Sequence, residues 1–370
     1  MAALQSPHKP AWLLLEDGTY FTGKSLGASG TSGGELCFNT GMTGYQEVFT
    51  DPSYFGQVLI MNTAYVGNYG VKKEDVESGG IKIKALVCKN ISNRYSRMMA
   101  DASLEEYLIQ NGIVAIYDVD TRALVQHIRS KGAMNAIVTT ELMEKTDLKK
   151  ELDKVPNMRG LDLTKEVTTK EPYFFGNENA KYRISVLDFG VKQSMLHLLS
   201  SHDAYLKVFP GTSSATEIFA FKPDGIFISN GPGDPGSMDY AVSTIKEILA
   251  SEKPLFGICL GHQLLARAYD VPTFKMHHGH RGLNHPVKNL ITGKSEITTQ
   301  NHGFGVDEKA AQQSQEIEVT HINLNDGSIE GLRVKNKPAF SVQYHPESTP
   351  GPHDSRYLFN NFIQLIEQNK

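Results

Sequence analysis

Pro254-Leu255-Phe256-Gly257-Ile258-Cys259-Leu260-Gly261-His262-Gln263-Leu264-Leu265-Ala266 is the stretch on which the fold turns. Residues 254–258 make a short apolar run, read as a buried strand, and Leu260, Leu264 and Leu265 recur on a helical face. Between them Gly-x-Cys-x-Gly sets a thiol on a sharp strand-to-helix turn, where flanking glycines permit tight, close-packed backbone. This is a nucleophile elbow with cysteine in place of serine. A thiol there sits at a helix N-terminus, where the dipole and free N–H groups favour thiolate. A core cysteine between two packing glycines would give the same pattern, so the rest of the chain must decide.

From Arg183 onward, strands and helices alternate. Strands fit at 183–188, 204–209, 225–229 and 254–258, and helices at about 191–200, 239–251 and 260–268, with another near 215–221. Repeated βα units predict an α/β C-terminal half with a doubly wound, mostly parallel sheet. Ligands in such sheets bind beyond the carboxyl ends of the strands. Cys259 and the loop Ser229-Asn230-Gly231-Pro232-Gly233-Asp234-Pro235 both fall there. The loop is either an irregular turn or a source of bare N–H groups for a developing oxyanion, with the Leu260 N–H as second donor. A hairpin around Asn325-Asp326-Gly327, a strand at 338–344 and a closing helix at about 354–368 complete the half.

A cysteine nucleophile needs a base and an orienter for that base. Among 13 histidines, residue type selects none, but His345-Pro346-Glu347 directly follows the 338–344 strand. Pro346 stiffens the step between imidazole and carboxylate, and Glu347 can hold the tautomer. Alone, His-Pro-Glu is a surface turn; beside an elbow and a glycine loop, the catalytic reading prevails. Met276-His277-His278-Gly279-His280 invites a metal, yet no cysteine or carboxylate cluster adjoins it in sequence, and no metal is assigned.

The first half reads as a mixed α/β domain over 1–150. Leu13 to Phe21 gives two strands around Asp17-Gly18, and further strands fit at 35–39, 57–62 and 80–88. Ser103-x-x-Glu106 is a capping box, Ile113–Asp120 a strand, and Thr121–Lys131 a helix stopped by Gly132. Asn39–Glu47 and Thr50–Tyr54 are rich in turn residues and read as tight surface loops. Charged, Asn- and Gly-containing sequence over 151–182 reads as a connecting region before a C-terminal domain at 183–370.

Composition is that of an ordinary globular protein, 40% hydrophobic with a formal charge of -4, so no basic excess points to nucleic acid. Three widely spaced cysteines (Cys37, Cys88, Cys259) argue against a disulfide framework. Met1–Pro10 lacks the apolar core of a signal peptide, and no run approaches membrane-spanning length. A cytoplasmic protein with no membrane partner is expected.

Together, Gly257-Ile-Cys259-Leu-Gly-His-Gln263, Ser229-Asn-Gly-Pro-Gly-Asp-Pro235 and His345-Pro-Glu347 resemble a class I, triad-type glutamine amidotransferase. The motifs Asn39-Thr-Gly-Met-Thr-Gly-Tyr-Gln-Glu47, Thr50-Asp-Pro-Ser-Tyr54, Val66-Gly-Asn-Tyr-Gly70 and Asp118-Val-Asp-Thr-Arg122 narrow the resemblance to the carbamoyl-phosphate synthase small chain. Asn284-His-Pro-Val-Lys288, Gln300-Asn-His-Gly-Phe304 and Ser348-Thr-Pro-Gly-Pro-His-Asp354 do the same. The resemblance implies Cys259 as nucleophile, His345 as base and acid, and Glu347 as its partner. It implies an L-glutamine pocket of Ser53, Gly231, Gly233, Leu260, Gln263, Asn301, Gly303 and Phe304. Ser53 lies in the first half, which would bring the substrate near the contact between halves. Glutamine would be split to glutamate and ammonia, and the ammonia passed to a separate large chain that makes carbamoyl phosphate, a precursor for arginine or pyrimidines. The chain has no Gly-x-x-x-x-Gly-Lys-Ser/Thr loop, so ATP and its divalent metal are expected on that partner and no cofactor on this chain. An amidotransferase serving another synthase, a stand-alone γ-glutamyl hydrolase and a non-catalytic regulatory subunit remain as alternatives.

Overall fold

The computed structural model describes residues 8–370; the signal-peptide reading rests largely on residues 1–7, outside that range. Two compact units form among the described residues, one from 8–50 with 54–157, the other from Asp51–Ser53 with 158–370. Among the described residues no helix is long and apolar enough to cross a membrane.

In the first unit, seven strands close into a barrel. Pro10–Leu15 and Tyr20–Gly27 pair around the Asp17-Gly18 turn, where Gly18 has a φ of 87°. Closure comes from Asn135–Thr139, which pairs antiparallel with both Pro10–Leu15 and Thr31–Asn39. Alternate residues feed two apolar clusters: Val58 and Ile60 join Leu124 and Ile128 of helix Thr121–Lys131, while Leu59 and Met61 join Phe49 and Leu104. Both faces of these strands are therefore buried. The Ser103/Glu106 capping box is formed, and Gly132 ends the Thr121–Lys131 helix. The turn-rich stretches at 39–54 are not surface loops. They carry a helix, Tyr45–Thr50, and a 3-10 turn, Pro52–Tyr54, and most of their side chains are buried. Their polar groups find internal partners, as when Asn39 Nδ2 donates to Tyr54 Oη at 2.9 Å and Thr50 Oγ1 to Gln46 O at 2.9 Å.

The second unit is built on one ten-stranded sheet. At its centre Ala204–Pro210, Tyr182–Asp188, Gly225–Ile228, Leu255–Ile258 and Ala339–Val342 lie side by side and parallel. Helices Ala215–Ala220, Asp239–Ala250 and Leu260–Ala268 pack through one apolar cluster, and Gln193–Ser201 and Tyr357–Gln368 through another. The sheet is mixed rather than mostly parallel: four neighbouring pairs are parallel and five antiparallel. Beyond Ala268 the chain runs into Thr273–Asn289 and Ser295–Val306, which form a long antiparallel pair with two irregularities in register. Strands joined by short turns can only return antiparallel. The 151–182 stretch carries the edge strand Tyr173–Phe175, paired with Ala204–Pro210.

Four neighbouring parallel strands thus end on one edge. The segments that follow them carry Lys192, the Ser229–Pro235 loop, Cys259 and His345.

Candidate active site

The elbow takes the form its glycine spacing implies. Cys259 follows strand Leu255–Ile258 and has a φ of 54°, a left-handed conformation unusual for a residue with a Cβ. Such backbone persists only where its surroundings fix it. Cys259 N donates to Val342 O at 2.9 Å, and Cys259 O accepts from Gln263 N at 3.1 Å in the first turn of helix Leu260–Ala268. The flanking glycines are required by contact. A Cβ on Gly261 would stand 2.4 Å from Ile228 O, and one on Gly257 2.8 Å from Gly261 O. The thiol is buried, with Sγ 3.6 Å from Asn301 O.

His345 arrives from the adjacent strand, its N–H donating to Thr299 O at 2.9 Å. Its Nδ1 donates to Glu347 Oε1 at 2.9 Å, which leaves Nε2 for the Cys259 thiol. Among the described residues Nε2 has no hydrogen-bond partner, which leaves it open to the thiol proton. Burial opposes charge on His345, but the carboxylate of Glu347 and the Cys259 side chain outweigh it and hold the imidazole well above its ordinary pKa. Glu347 shows the converse. Burial pushes it up, and the charges of Lys192 and His345 bring it down below the usual carboxylate range.

Lys192 is one residue that sequence reasoning missed. Its Nζ donates to Glu347 Oε1 at 2.8 Å and to Thr349 O at 2.7 Å, and both charged side chains are almost wholly buried. The local signal was available: Lys192 follows the carboxyl end of a parallel strand and stands just before helix Gln193–Ser201. Asp188 fixes that turn, its Oδ1 accepting from Gly190 N at 2.8 Å and Val191 N at 2.7 Å.

The remaining candidate residues fall in two groups. Gln263 Nε2 donates to Phe304 O at 2.9 Å and Gln343 Oε1 at 3.1 Å, tying the elbow helix to the strand that bears Asn301, Gly303 and Phe304. Asn301 Nδ2 donates to Asp51 Oδ2 at 3.0 Å, and Asn230 Nδ2 to Ser53 Oγ at 2.8 Å. Asp51 and Asn230 were not singled out as site residues, yet they join Ser53, Asn301 and the glycine loop into one network. Gly231 lies against Leu260 and Phe189; a Cβ there would stand 2.2 Å from Phe189 O. Gly233, with a φ of 97°, packs instead on Leu161 and Leu163.

Residues 185–365 match the family model for glutamine amidotransferase class-I, and residues 13–138 match that for the carbamoyl-phosphate synthase small chain, CPSase domain. The chain is 47% identical to the carbamoyl phosphate synthase small chain of Synechocystis sp., over 98% of this chain and 97% of that one. It is 46% identical to that of Chlorobaculum tepidum, over 98% and 99%, and 45% identical to that of Thermotoga maritima, over 97% and 99%. The chain belongs to the carbamoyl phosphate synthase small chain family. It is a glutamine amidotransferase, and the buried Cys259–His345–Glu347 array lies within the region that matches the amidotransferase model.

The other two thiols differ from Cys259 in setting. Cys37 and Cys88 lie in barrel strands, and burial pushes Cys88 up to about 12, which suits a packing role.

Proposed function

We propose that this chain hydrolyses L-glutamine through a Cys259 thioester and delivers the ammonia to an ATP-using large chain that makes carbamoyl phosphate. The observation that carries the reading is the buried cluster of Cys259, His345, Glu347 and Lys192, which follow three strands of the parallel centre. That parallel centre, with helices on both faces, also supports the doubly wound reading of the unit.

His345 Nε2 takes the Cys259 proton, and the thiolate attacks the side-chain amide carbon of glutamine. The oxyanion is met by N–H groups of the elbow. The N–H of Leu260, first in its helix, has no intrahelical acceptor, whereas that of Gly261 is taken by Ser229 O at 3.1 Å. Gly231, packed on Leu260, is the proposed second donor. His345 then protonates the departing nitrogen, and water hydrolyses the γ-glutamyl thioester with the same imidazole as base. Glu347 holds the tautomer, and Lys192 keeps Glu347 ionised. Ser53, Gln263, Asn301, Gly303, Phe304 and Gly233 form the proposed glutamine pocket. None of the three cysteines is in a disulfide, which fits a reducing, cytoplasmic setting.

The test is Cys259→Ser in the complex with the large chain. Glutamine-supported carbamoyl phosphate synthesis should be lost, while synthesis from added ammonia persists. Near wild-type glutamate release by the Ser variant would overturn the assignment.

A further inference from the structure

A second cluster of reactive side chains lies within the same unit, and the proposed hydrolysis does not use it. His280 from strand Thr273–Asn289, His302 from Ser295–Val306 and Glu330 from Ile329–Val334 are all buried, and their ligand atoms lie within 4.8 Å of one another. Each imidazole has one nitrogen anchored from outside. His280 Nε2 donates to Asp326 Oδ2 at 2.9 Å, and His302 Nδ1 donates to Phe304 O at 2.8 Å. With one proton each, the inner nitrogens, His280 Nδ1 and His302 Nε2, carry lone pairs; burial opposes a second proton on His280, while the carboxylates of Asp326 and Glu330 favour one.

Those lone pairs face acceptors. Glu330 Oε1 lies 3.5 Å from His280 Nδ1, and Gln300 Oε1, as its amide is placed, lies 2.9 Å from His302 Nε2. Asn323 Nδ2, 3.5 Å from His280 Nδ1, already donates to Glu330 Oε1 at 2.9 Å. Glu330 Oε2 has no hydrogen-bond partner, and the residue is fully buried. Nitrogen and oxygen acceptors turned toward each other in a buried space call for a cation between them.

We propose that His280, His302 and Glu330, with the Gln300 amide oxygen as fourth donor, bind a zinc-class divalent ion. Two imidazoles with a carboxylate suit Zn²⁺, and the amide oxygen is the weaker fourth donor. Bonds of about 2.0–2.1 Å at tetrahedral angles put donors about 3.4 Å apart, close to the 3.5 Å between His280 Nδ1 and Glu330 Oε1. The same geometry puts two imidazole centroids about 5 Å apart, and those of His280 and His302 are separated by 5.0 Å. Asp326 and the Phe304 carbonyl are the outer partners that metal-bound histidines characteristically have. The ion would join three strands, one of which carries Asn301 and Gly303 on either side of His302. Its effect on the glutamine pocket rests on the function proposed above; its binding does not. The rival occupant is a proton on His280, shared with Glu330.

The test is a Zn²⁺ titration of the purified full-length chain, stripped with a chelator and read by competition with a chromophoric zinc indicator. Wild type should take up one tight equivalent and give a tetrahedral Co²⁺ spectrum. Glu330→Gln and His302→Gln should lose the tight equivalent. Asp326→Asn, on an exposed turn, should weaken it about 10- to 100-fold. His277→Gln, exposed and outside the cluster, should bind as wild type. No tight equivalent in the folded wild-type chain would overturn the site in favour of the proton. Binding unchanged by both Glu330→Gln and Asp326→Asn would place any zinc elsewhere and also overturn it.

Discussion

Lys192→Met removes the only positive charge other than His345 that shares Glu347 Oε1 among the described residues. The Lys192 and Glu347 side chains are 3% and 0% exposed, so the lost partner is not replaced by water. Removing one member of a buried ion pair costs about 3–5 kcal/mol. His345 still faces the carboxylate, which argues for the lower end, about 3 kcal/mol. For a unit of this size that is a fall in Tm of roughly 6–12 °C. The pH dependence has a definite sign. Glu347 is depressed in the folded state to about 2, so its contribution is present above the ordinary carboxylate pKa and is lost as pH falls toward that value. Lys192 is the foremost cause of that depression, so the variant should lose less stability between pH 5 and pH 3 than wild type does. Calorimetric melts of both chains across this range are the assay. A variant melting within about 2 °C of wild type, with the same acid slope, would refute the role given to Lys192.

His345→Asn should abolish glutamate release, whereas Glu347→Gln should slow it less, because an orienter assists the base without replacing it; equal losses measured by steady-state kinetics would argue against that division. Gly261→Ala drives a Cβ to 2.4 Å from Ile228 O, and should cost about 2–3 kcal/mol, or roughly 4–12 °C in Tm, with loss of glutaminase activity. A stable, active Ala variant would mean the elbow yields easily. The isolated chain should be a weak glutaminase, activated about 5- to 150-fold by its large chain with bicarbonate and ATP, the usual range of coupling between sites. Full activity alone would favour a stand-alone γ-glutamyl hydrolase.

The parallel core was readable because short apolar runs alternated with amphipathic ones, and the elbow because two glycines at fixed spacing have a steric cause. Cys259, His345 and Glu347 could be grouped because all three follow apolar strands. Lys192 could not be paired with Glu347 in the same way, since 155 residues separate them and one lysine resembles another. The long pair Thr273–Asn289 and Ser295–Val306 escaped because its buried positions include His280, Arg281, Thr298, Gln300, Asn301 and His302. Polar residues that satisfy one another inside leave no apolar alternation to read. The same cause hid the buried character of 39–54, and barrel closure depends on a pairing between residues more than a hundred positions apart.

The central claim is covalent chemistry at Cys259, and trapping the intermediate tests it most directly. Wild-type chain mixed with L-glutamine and quenched in acid within the first turnovers should carry a γ-glutamyl adduct, located by peptide mass spectrometry on Cys259. Cys259→Ser should show no thioester at that position. An active wild-type enzyme with no adduct under any quench time, or with the adduct on Cys37 or Cys88, would contradict the account.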